Sequence, residues 1–154
     1  MGINPALPRR AGVLTAVLAI SVFAVSLSAC SLVEEETDAQ AERLYGRTWI
    51  AEEVGGQPVA AGVEPSLFVE PDGKVSGNGG CNGYFGSVII DGEAMSFGNL
   101  GATRKACPEP AMSQEERLLR ALDATRGYRL QDGSLVLLDG AGAALVRFRN
   151  GSGT

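Results

Sequence analysis

The chain has 154 residues, of which 45% are hydrophobic, and it carries 18 acidic and 13 basic residues for a formal net charge of −5. Because the sequence contains no histidine, it excludes the Ser-His-Asp and Cys-His arrangements in which an imidazole serves as the general base. The acidic balance and the lack of a block of lysine and arginine argue against nucleic acid as a partner.

Residues 1–29 have the order of a lipoprotein signal peptide. Arg9 and Arg10 precede an apolar run over residues 11–25, and the small-residue sequence Leu-Ser-Ala-Cys ends at Cys30. The apolar run is short for a membrane span, and small residues before the cysteine suit a signal peptidase. We therefore predict cleavage before Cys30 and attachment of a lipid to Cys30. An uncleaved membrane anchor is the alternative.

The mature chain is then expected to be a tethered, acidic domain of the bacterial cell envelope. Removal of residues 1–29 leaves 11 basic residues against 18 acidic ones, a net charge of about −7. Residues 30–43 are polar and acidic, which predicts a flexible tether, with a folded domain over 44–150 and a tail over 151–154. Because Ser31 follows the lipid cysteine instead of an aspartate, we expect the outer membrane where the host has one, and otherwise the outer face of the cytoplasmic membrane.

Turn signals divide the first half of the folded domain into short strands. The first strand begins near Trp49 and ends at a Gly-Gly pair, and we interpret this single tryptophan as a core residue. Residues 65–70 and 75–77 form a hairpin around a Pro-Asp-Gly turn. Residues 84–90 and 94–97 form a second hairpin around an Asp-Gly turn.

A glycine-rich segment, residues 77–86, connects the two hairpins. Five glycines in these ten residues indicate tight turns or close backbone approach. We predict that Gly80, Asn82 and Gly83 are the structural residues of this loop, with Asn82 tolerating the left-handed region. A phosphate-binding loop is the alternative, but it requires Gly-Lys-Ser/Thr at the start of a helix, whereas a strand follows here.

Two cysteines remain after Cys30 is assigned to the lipid: Cys81, within the glycine-rich loop, and Cys107. In an exported compartment an even number of cysteines favours a disulfide. This pairing would close a loop of about 25 residues, which is worth on the order of 3 to 4 kcal/mol. Two separate buried thiols are the alternative, since the sequence does not determine the distance between their Cα atoms.

Helical spacing replaces the strand pattern over residues 113–125. Ser113 is predicted to cap the helix, with Glu116 at the third helical position, and Gly127 is predicted to end it. Glu116 and Arg120 are expected to pair on its surface. Three leucines are expected to form its buried stripe: Leu118, Leu119 and Leu122.

The chain closes with three strands over residues 128–130, 134–139 and 144–149, which form a meander. About seven or eight short strands and one helix predict a mainly β, α+β domain. Its expected architecture is a small antiparallel, barrel-like sheet with the helix covering one end.

The order of these features resembles the META domain, the family of the HslJ-type heat-shock lipoproteins. The resemblance rests on Gly-Cys-Asn-Gly-Tyr at residues 80–84 and on residues 103–107, followed by the leucine helix, and it covers about residues 44–149. Lys105 stands where the family commonly has methionine. The resemblance implies a compact β-rich envelope domain associated with heat shock and antibiotic tolerance, with no catalytic residues to transfer.

No catalytic, metal or cofactor residue is predicted. The acidic residues are dispersed and have no recognised metal-ligand spacing. Spacing alone leaves open a pair of carboxylates of the glycosidase kind, although turn positions favour solvated acids. Four residues are candidates for such a pair: Glu70, Asp72, Asp91 and Glu93.

These observations predict a monomeric, non-enzymatic, lipid-anchored envelope protein. We expect it to support envelope integrity or tolerance of stress and antibiotics by binding another envelope component, whether a protein or a ligand. One alternative is an exported inhibitor with a lysozyme-type target, because an acidic face attracts a basic enzyme at low salt. The other is a binder of small apolar ligands, with a pocket near Trp49.

Overall fold

A computed structural model describes residues 42–151 as one antiparallel sheet of ten strands and a helix of 14 residues. The predicted signal peptide, Cys30, the tether up to residue 41 and residues 152–154 lie outside the described part. The elements in chain order are β1 (Thr48–Val54), β2 (Gln57–Pro58), β3 (Ser66–Val69), β4 (Lys74–Asn78), β5 (Gly83–Asp91), β6 (Ala94–Phe97), β7 (Gly101–Ala102), α1 (Ala111–Ala124), β8 (Gly127–Gln131), β9 (Ser134–Leu138) and β10 (Ala144–Gly151).

The sheet closes on itself through a ring of hydrogen bonds. Its order is β10-β9-β8-β6-β5-β4-β3-β1, and β1 pairs in turn with β10, from Thr48 opposite Gly151 to Val54 opposite Val146. Closure of this kind removes the free edges of the principal strands. The predicted mainly β, barrel-like architecture is therefore confirmed.

The structure contains more strands than the seven or eight predicted because β2 and β7 have two residues each, too few to show alternation in the sequence. The last strand is also longer than predicted. Gly151, expected to begin the tail, is the final residue of β10 and pairs with Thr48.

The core lies inside the ring and beneath α1. Trp49 is 2% exposed, and its indole Nε1 donates a hydrogen bond to the Leu44 carbonyl oxygen at 3.0 Å, so the interpretation of Trp49 as a core residue is confirmed. Leu118 and Leu122 of α1 are fully buried against the strands, as predicted. Leu119 is only half-buried, because it points to the side of the helix.

Both predicted helix ends are wrong. The helix begins at Ala111 after Pro110, which makes no side-chain capping bond, and Ser113 lies inside the first turn. Pro110 is the N-cap residue, whose backbone nitrogen has no partner within the helix, so the N–H that proline lacks is not needed there. At the other end Thr125 is already extended, and its hydroxyl donates to the Ala121 carbonyl at 2.8 Å. Gly127 begins β8 instead of ending the helix.

Candidate functional site

A disulfide joins the glycine-rich loop to the segment that precedes α1. Cys81 and Cys107 are bonded, with their Cα atoms 5.9 Å apart and a sequence separation of 26. This is the pairing that the cysteine count favours, and it replaces the alternative of two separate thiols. Both sulfur atoms are consumed by the bond, so neither serves as a nucleophile in this state.

A carboxylate of the helix holds the same loop from the other side. Glu115 is 9% exposed, and its oxygens accept hydrogen bonds from the backbone N–H of Cys81 at 3.3 Å and from the backbone N–H of Asn82. The side-chain Nδ2 of Asn82 donates a third bond to Glu115 at 3.0 Å. Bonds to an ionised acceptor are stronger than bonds between neutral groups. The helix is thereby fastened to the loop between β4 and β5.

Asn82 connects three segments through its side-chain amide. Its Nδ2 also donates to the Lys105 carbonyl at 3.2 Å, and its Oδ1 accepts from the Thr103 hydroxyl at 2.9 Å and from the Lys105 backbone N–H at 2.6 Å. These bonds use the two donors and two acceptor sites of the amide. Asn82 is not in the left-handed region, so the predicted reason for an asparagine here is wrong. Its hydrogen-bonding capacity is what the position requires.

The glycines of the loop differ in their roles. Gly80 has a φ of +126°, which L side chains rarely adopt. At Gly79 a Cβ atom would lie 2.6 Å from Cγ of Glu115, so this glycine allows the close approach of the carboxylate. At Gly83, the third predicted structural residue, a Cβ atom would have the Gly77 carbonyl oxygen at 3.7 Å as its nearest neighbour. Gly83 simply begins β5.

We name the arrangement of Glu115, Asn82 and the Cys81–Cys107 bond the loop clamp. The sequence indicates the two cysteines and the asparagine but not Glu115, which follows Asn82 by 33 residues. Position 115 falls on the buried side of the predicted helix, one residue after the fully buried Gln114. A charged residue on the buried face of a helix needs hydrogen-bonding partners, and this is the sequence signal that could have identified Glu115.

The four acidic candidates for a catalytic pair lie at two hairpin turns. Glu70 and Asp72 lie between β3 and β4, whereas Asp91 ends β5 and Glu93 lies in the turn before β6. Asp72 is exposed, and its hydrogen bond from the Lys74 side chain holds the pKa of its carboxyl below the usual value. Across residues 42–151 no three histidine, cysteine or acidic side chains form a group that could hold a metal ion.

Two open hollows lie on the surface beside α1. Their volumes are about 340 and about 450 Å³, and Leu119 lines both of them. We name them together the helix groove. The first is lined by Glu109, Met112, Ser113, Glu115, Glu116 and Leu119. The second is lined by Gly98, Asn99, Leu100, Leu119 and Asp123.

The helix groove was not predicted from the sequence, although the sequence carries a signal for it. Glu109, Glu116 and Asp123 recur every seven residues, and so do Met112 and Leu119. A spacing of seven returns to the same side of a helix after two turns. Of these residues, Leu119 is predicted in the buried leucine stripe and Glu116 in a surface pair, whereas no role is predicted for Met112 or Asp123.

Within residues 42–151 no helix is both long and apolar enough to cross a membrane.

A family model described as the META domain matches residues 42–152. No curated protein matches the chain. An NMR structure of a protein from Burkholderia xenovorans is 27% identical, with a TM-score of 0.57 over 75% of this chain and 88% of that chain.

Two other solved structures are similar in fold. One NMR structure is 21% identical, with a TM-score of 0.56 over 70% of this chain and 92% of that chain. A crystal structure of a DUF4847 family protein from Bacteroides vulgatus ATCC 8482 is 15% identical, with a TM-score of 0.57 over 75% of this chain and 99% of that chain.

Proposed function

Because the chain belongs to the META domain family, we propose that it is a lipid-anchored protein of the bacterial envelope that acts by binding another envelope component. The observation that carries this proposal is the Leu-Ser-Ala-Cys sequence ending at Cys30 after a basic and apolar leader. A lipid on Cys30 would keep the domain at a membrane surface. The outer membrane is the proposed location where the host has one.

The use of the reactive side chains within the fold supports a role without catalysis. The sulfur atoms of Cys81 and Cys107 are joined to each other, and the buried carboxylate of Glu115 accepts three N–H donors. General acid-base catalysis needs a group that is free to exchange a proton with a substrate. These groups instead hold the loop against the helix. We propose a monomer that supports tolerance of envelope stress and does not bind nucleic acid.

The lipid anchor is tested by fractionating cells that express the wild-type chain or Cys30→Ser. Wild type is expected in the membrane fraction, and Cys30→Ser is expected to lose membrane association and retain its leader. Globomycin, which blocks lipoprotein processing, is expected to increase the size of the wild-type protein. An unchanged size with globomycin, together with unchanged fractionation of Cys30→Ser, would rule out the lipid anchor.

The absence of catalysis is tested by complementation of a deletion strain under envelope stress, with permeability to a dye as the readout. Glu70→Gln, Asp72→Asn, Asp91→Asn and Glu93→Gln are each expected to restore the barrier as well as wild type does. Equal protein amounts are confirmed by immunoblot. Loss of complementation by a stable, correctly located variant of one of these acids would argue for an enzyme.

An exported inhibitor of a basic hydrolase is the second candidate, and the acidic residues of the helix groove favour it. Binding to lysozyme at low ionic strength tests this version directly. The other alternative, a binder of small apolar ligands, requires a pocket near Trp49. Because Trp49 is buried in the core and bonded to Leu44, that residue gives the small-ligand version no support.

A further inference from the structure

The helix groove has an apolar floor. Met112 is 38% exposed, and Leu119 and Leu100 are half-buried beside it. Met112 lines the first hollow and Asp123 the second, and these residues are about 16 Å apart along α1, which is three turns of a helix. Apolar side chains that remain accessible in surface hollows are characteristic of surfaces that bind a partner.

The rim of the groove is acidic along its whole length. Glu116 and Asp123 are two helical turns apart on α1, Glu109 lies two residues before the helix begins, and none of the described residues that line the groove is a lysine or arginine. Glu116 already pairs with Arg120 on the exposed surface of α1, so the excess negative charge at the rim comes from Glu109 and Asp123. This excess favours a cation at the rim, and the floor favours an apolar group.

We propose that the helix groove binds a cationic amphipathic helix of a partner protein. An apolar ridge on such a helix would lie on Met112, Leu119 and Leu100, and its lysines or arginines would reach the three acidic residues of the rim. This proposal rests on the proposed function and assigns to it a site and a class of partner.

Other occupants from this chain fit less well. A second copy would carry a net charge of about −7 of its own, so acidic surfaces would be brought together. The acidic tether has the same sign as the rim. A partner strand would need an open sheet edge, whereas the principal strands form a closed ring of pairs.

The test uses the complete mature polypeptide, residues 30–154 with Cys30→Ser, so that neither lipid nor detergent is present. The probe is a synthetic helix of leucine and lysine, about four turns long, labelled for fluorescence anisotropy at low salt. A scrambled peptide of the same composition and a leucine-glutamate helix are the peptide controls. The leucine-lysine helix is expected to bind, and each control peptide to bind at least about tenfold more weakly.

Two matched pairs of variants assign the binding to the groove. Glu116→Lys reverses a charge at the rim, whereas Glu64→Lys makes the same change in the loop between β2 and β3. Ala60 of that loop contacts Gln114 on the other side of the helix. Glu116→Lys is expected to weaken binding about tenfold and Glu64→Lys less than about twofold. Met112→Gln should likewise weaken binding more than Ile89→Gln, since Ile89 is exposed on β5 outside the groove.

The exposed positions of these side chains allow circular dichroism to confirm an unchanged fold before binding is compared. No binding of the leucine-lysine helix, equal binding of the scrambled peptide, or equal losses within each matched pair would overturn the proposal. None of these results bears on the lipid anchor, which is tested separately by fractionation. A failure of the groove is thus distinguishable from a failure of the proposed function.

Discussion

Glu115 is a buried carboxylate whose oxygens accept three hydrogen bonds. Two backbone N–H groups and one side-chain amide donate to it, all from Cys81 and Asn82. A buried donor that loses its acceptor costs about 1 to 3 kcal/mol, which exceeds the net value of an ordinary hydrogen bond. Removal of this one acceptor should therefore weaken the whole fold.

We predict that Glu115→Gln lowers the free energy of unfolding by about 1 to 3 kcal/mol, because one oxygen acceptor is replaced by an amide donor that faces other donors. Urea unfolding followed by Trp49 fluorescence measures the change. The control is Glu116→Gln, whose exposed pair with Arg120 is worth less than about 1 kcal/mol. Equal, small changes in both variants would contradict the described role of Glu115.

Tyr84 gives the domain a defined sensitivity to alkaline pH. Its ring is 2% exposed, its hydroxyl donates to the Ser66 carbonyl at 2.8 Å, and burial raises the pKa of Tyr84 above the ordinary value. An unfolded tyrosine loses its proton near pH 10, whereas folded Tyr84 keeps it at higher pH. Above about pH 10 the unfolded state therefore binds fewer protons, and stability falls as pH rises.

We predict that Tyr84 alone contributes a slope of up to about −1.4 kcal/mol per pH unit above pH 10 and none at neutral pH. Urea unfolding of wild type and Tyr84→Phe at several pH values measures it. Tyr84→Phe should be less stable than wild type at neutral pH and should have the shallower slope above pH 10. Identical slopes would show that Tyr84 does not keep its proton. Tyr128, whose pKa is also raised chiefly by burial, is expected to contribute to any slope that remains.

The sequence identifies these residues more readily than their partners. Asn82 stands out within a glycine-rich segment, but its bonds to Thr103, Lys105 and Glu115 connect positions 21 to 33 residues apart. Such bonds depend on where the helix docks. The local sequence therefore predicts that Asn82 is needed for its backbone conformation, whereas in the structure its side-chain amide makes the hydrogen bonds.

At the scale of elements, the loop between β4 and β5 is fastened to α1 by contact and by hydrogen bonds. The close approach of Gly79 to Glu115 makes the loop intolerant of a side chain at one position, while Gly83 has space for one. These two glycines form a matched pair within the same segment.

We predict that Gly79→Ala destabilises the domain by about 1 to 3 kcal/mol, because the new methyl group displaces the Glu115 side chain. Gly83→Ala should change stability by less than about 1 kcal/mol, since Ala has space there and Gly83 is not in the left-handed region. Thermal unfolding of both variants provides the comparison. If Gly83→Ala were less stable than Gly79→Ala, the close contact between Gly79 and Glu115 would not be what limits position 79.

The disulfide and Glu115 restrain the same loop, so their contributions should be coupled. Replacement of Cys81 and Cys107 by alanine is expected to cost about 3 to 4 kcal/mol, the value for a loop of this length. Adding Glu115→Gln to that variant should cost less than it does in wild type, because the loop is already released. A double-mutant cycle in urea measures the coupling. Strict additivity would show that the two restraints act independently.

The helix shows which element boundaries can be read from a sequence. The leucine spacing predicts α1 and two of its buried residues, because burial repeats at the helical period. Its first residue depends on Pro110 and on the docking of Glu115 against the loop, neither of which follows from capping patterns. Leu119 fits the same apolar pattern but is half-buried and lines the helix groove. Which apolar residues of a helix are buried depends on the elements packed against it, and the helical spacing alone does not specify them.

For the whole molecule, closure of the sheet depends on contact between the two ends of the folded domain. The alternation and turn signals predict the principal strands and their antiparallel hairpins. The pairing of β1 with β10, which closes the ring, joins segments separated by the rest of the domain. No local pattern specifies that pairing. The number of strands predicts a barrel-like sheet, but the register of β1 against β10 is known only from the structure.

We propose that a disulfide-linked META domain is held at a membrane by a lipid on Cys30. Intact mass of the protein extracted from host membranes, with and without reductant, tests both halves at once. We predict a chain that begins at Cys30, carries acyl groups, and lacks the two hydrogens of one disulfide until it is reduced. An unlipidated chain that retains residues 1–29 and has the same mass with and without reductant would contradict the account.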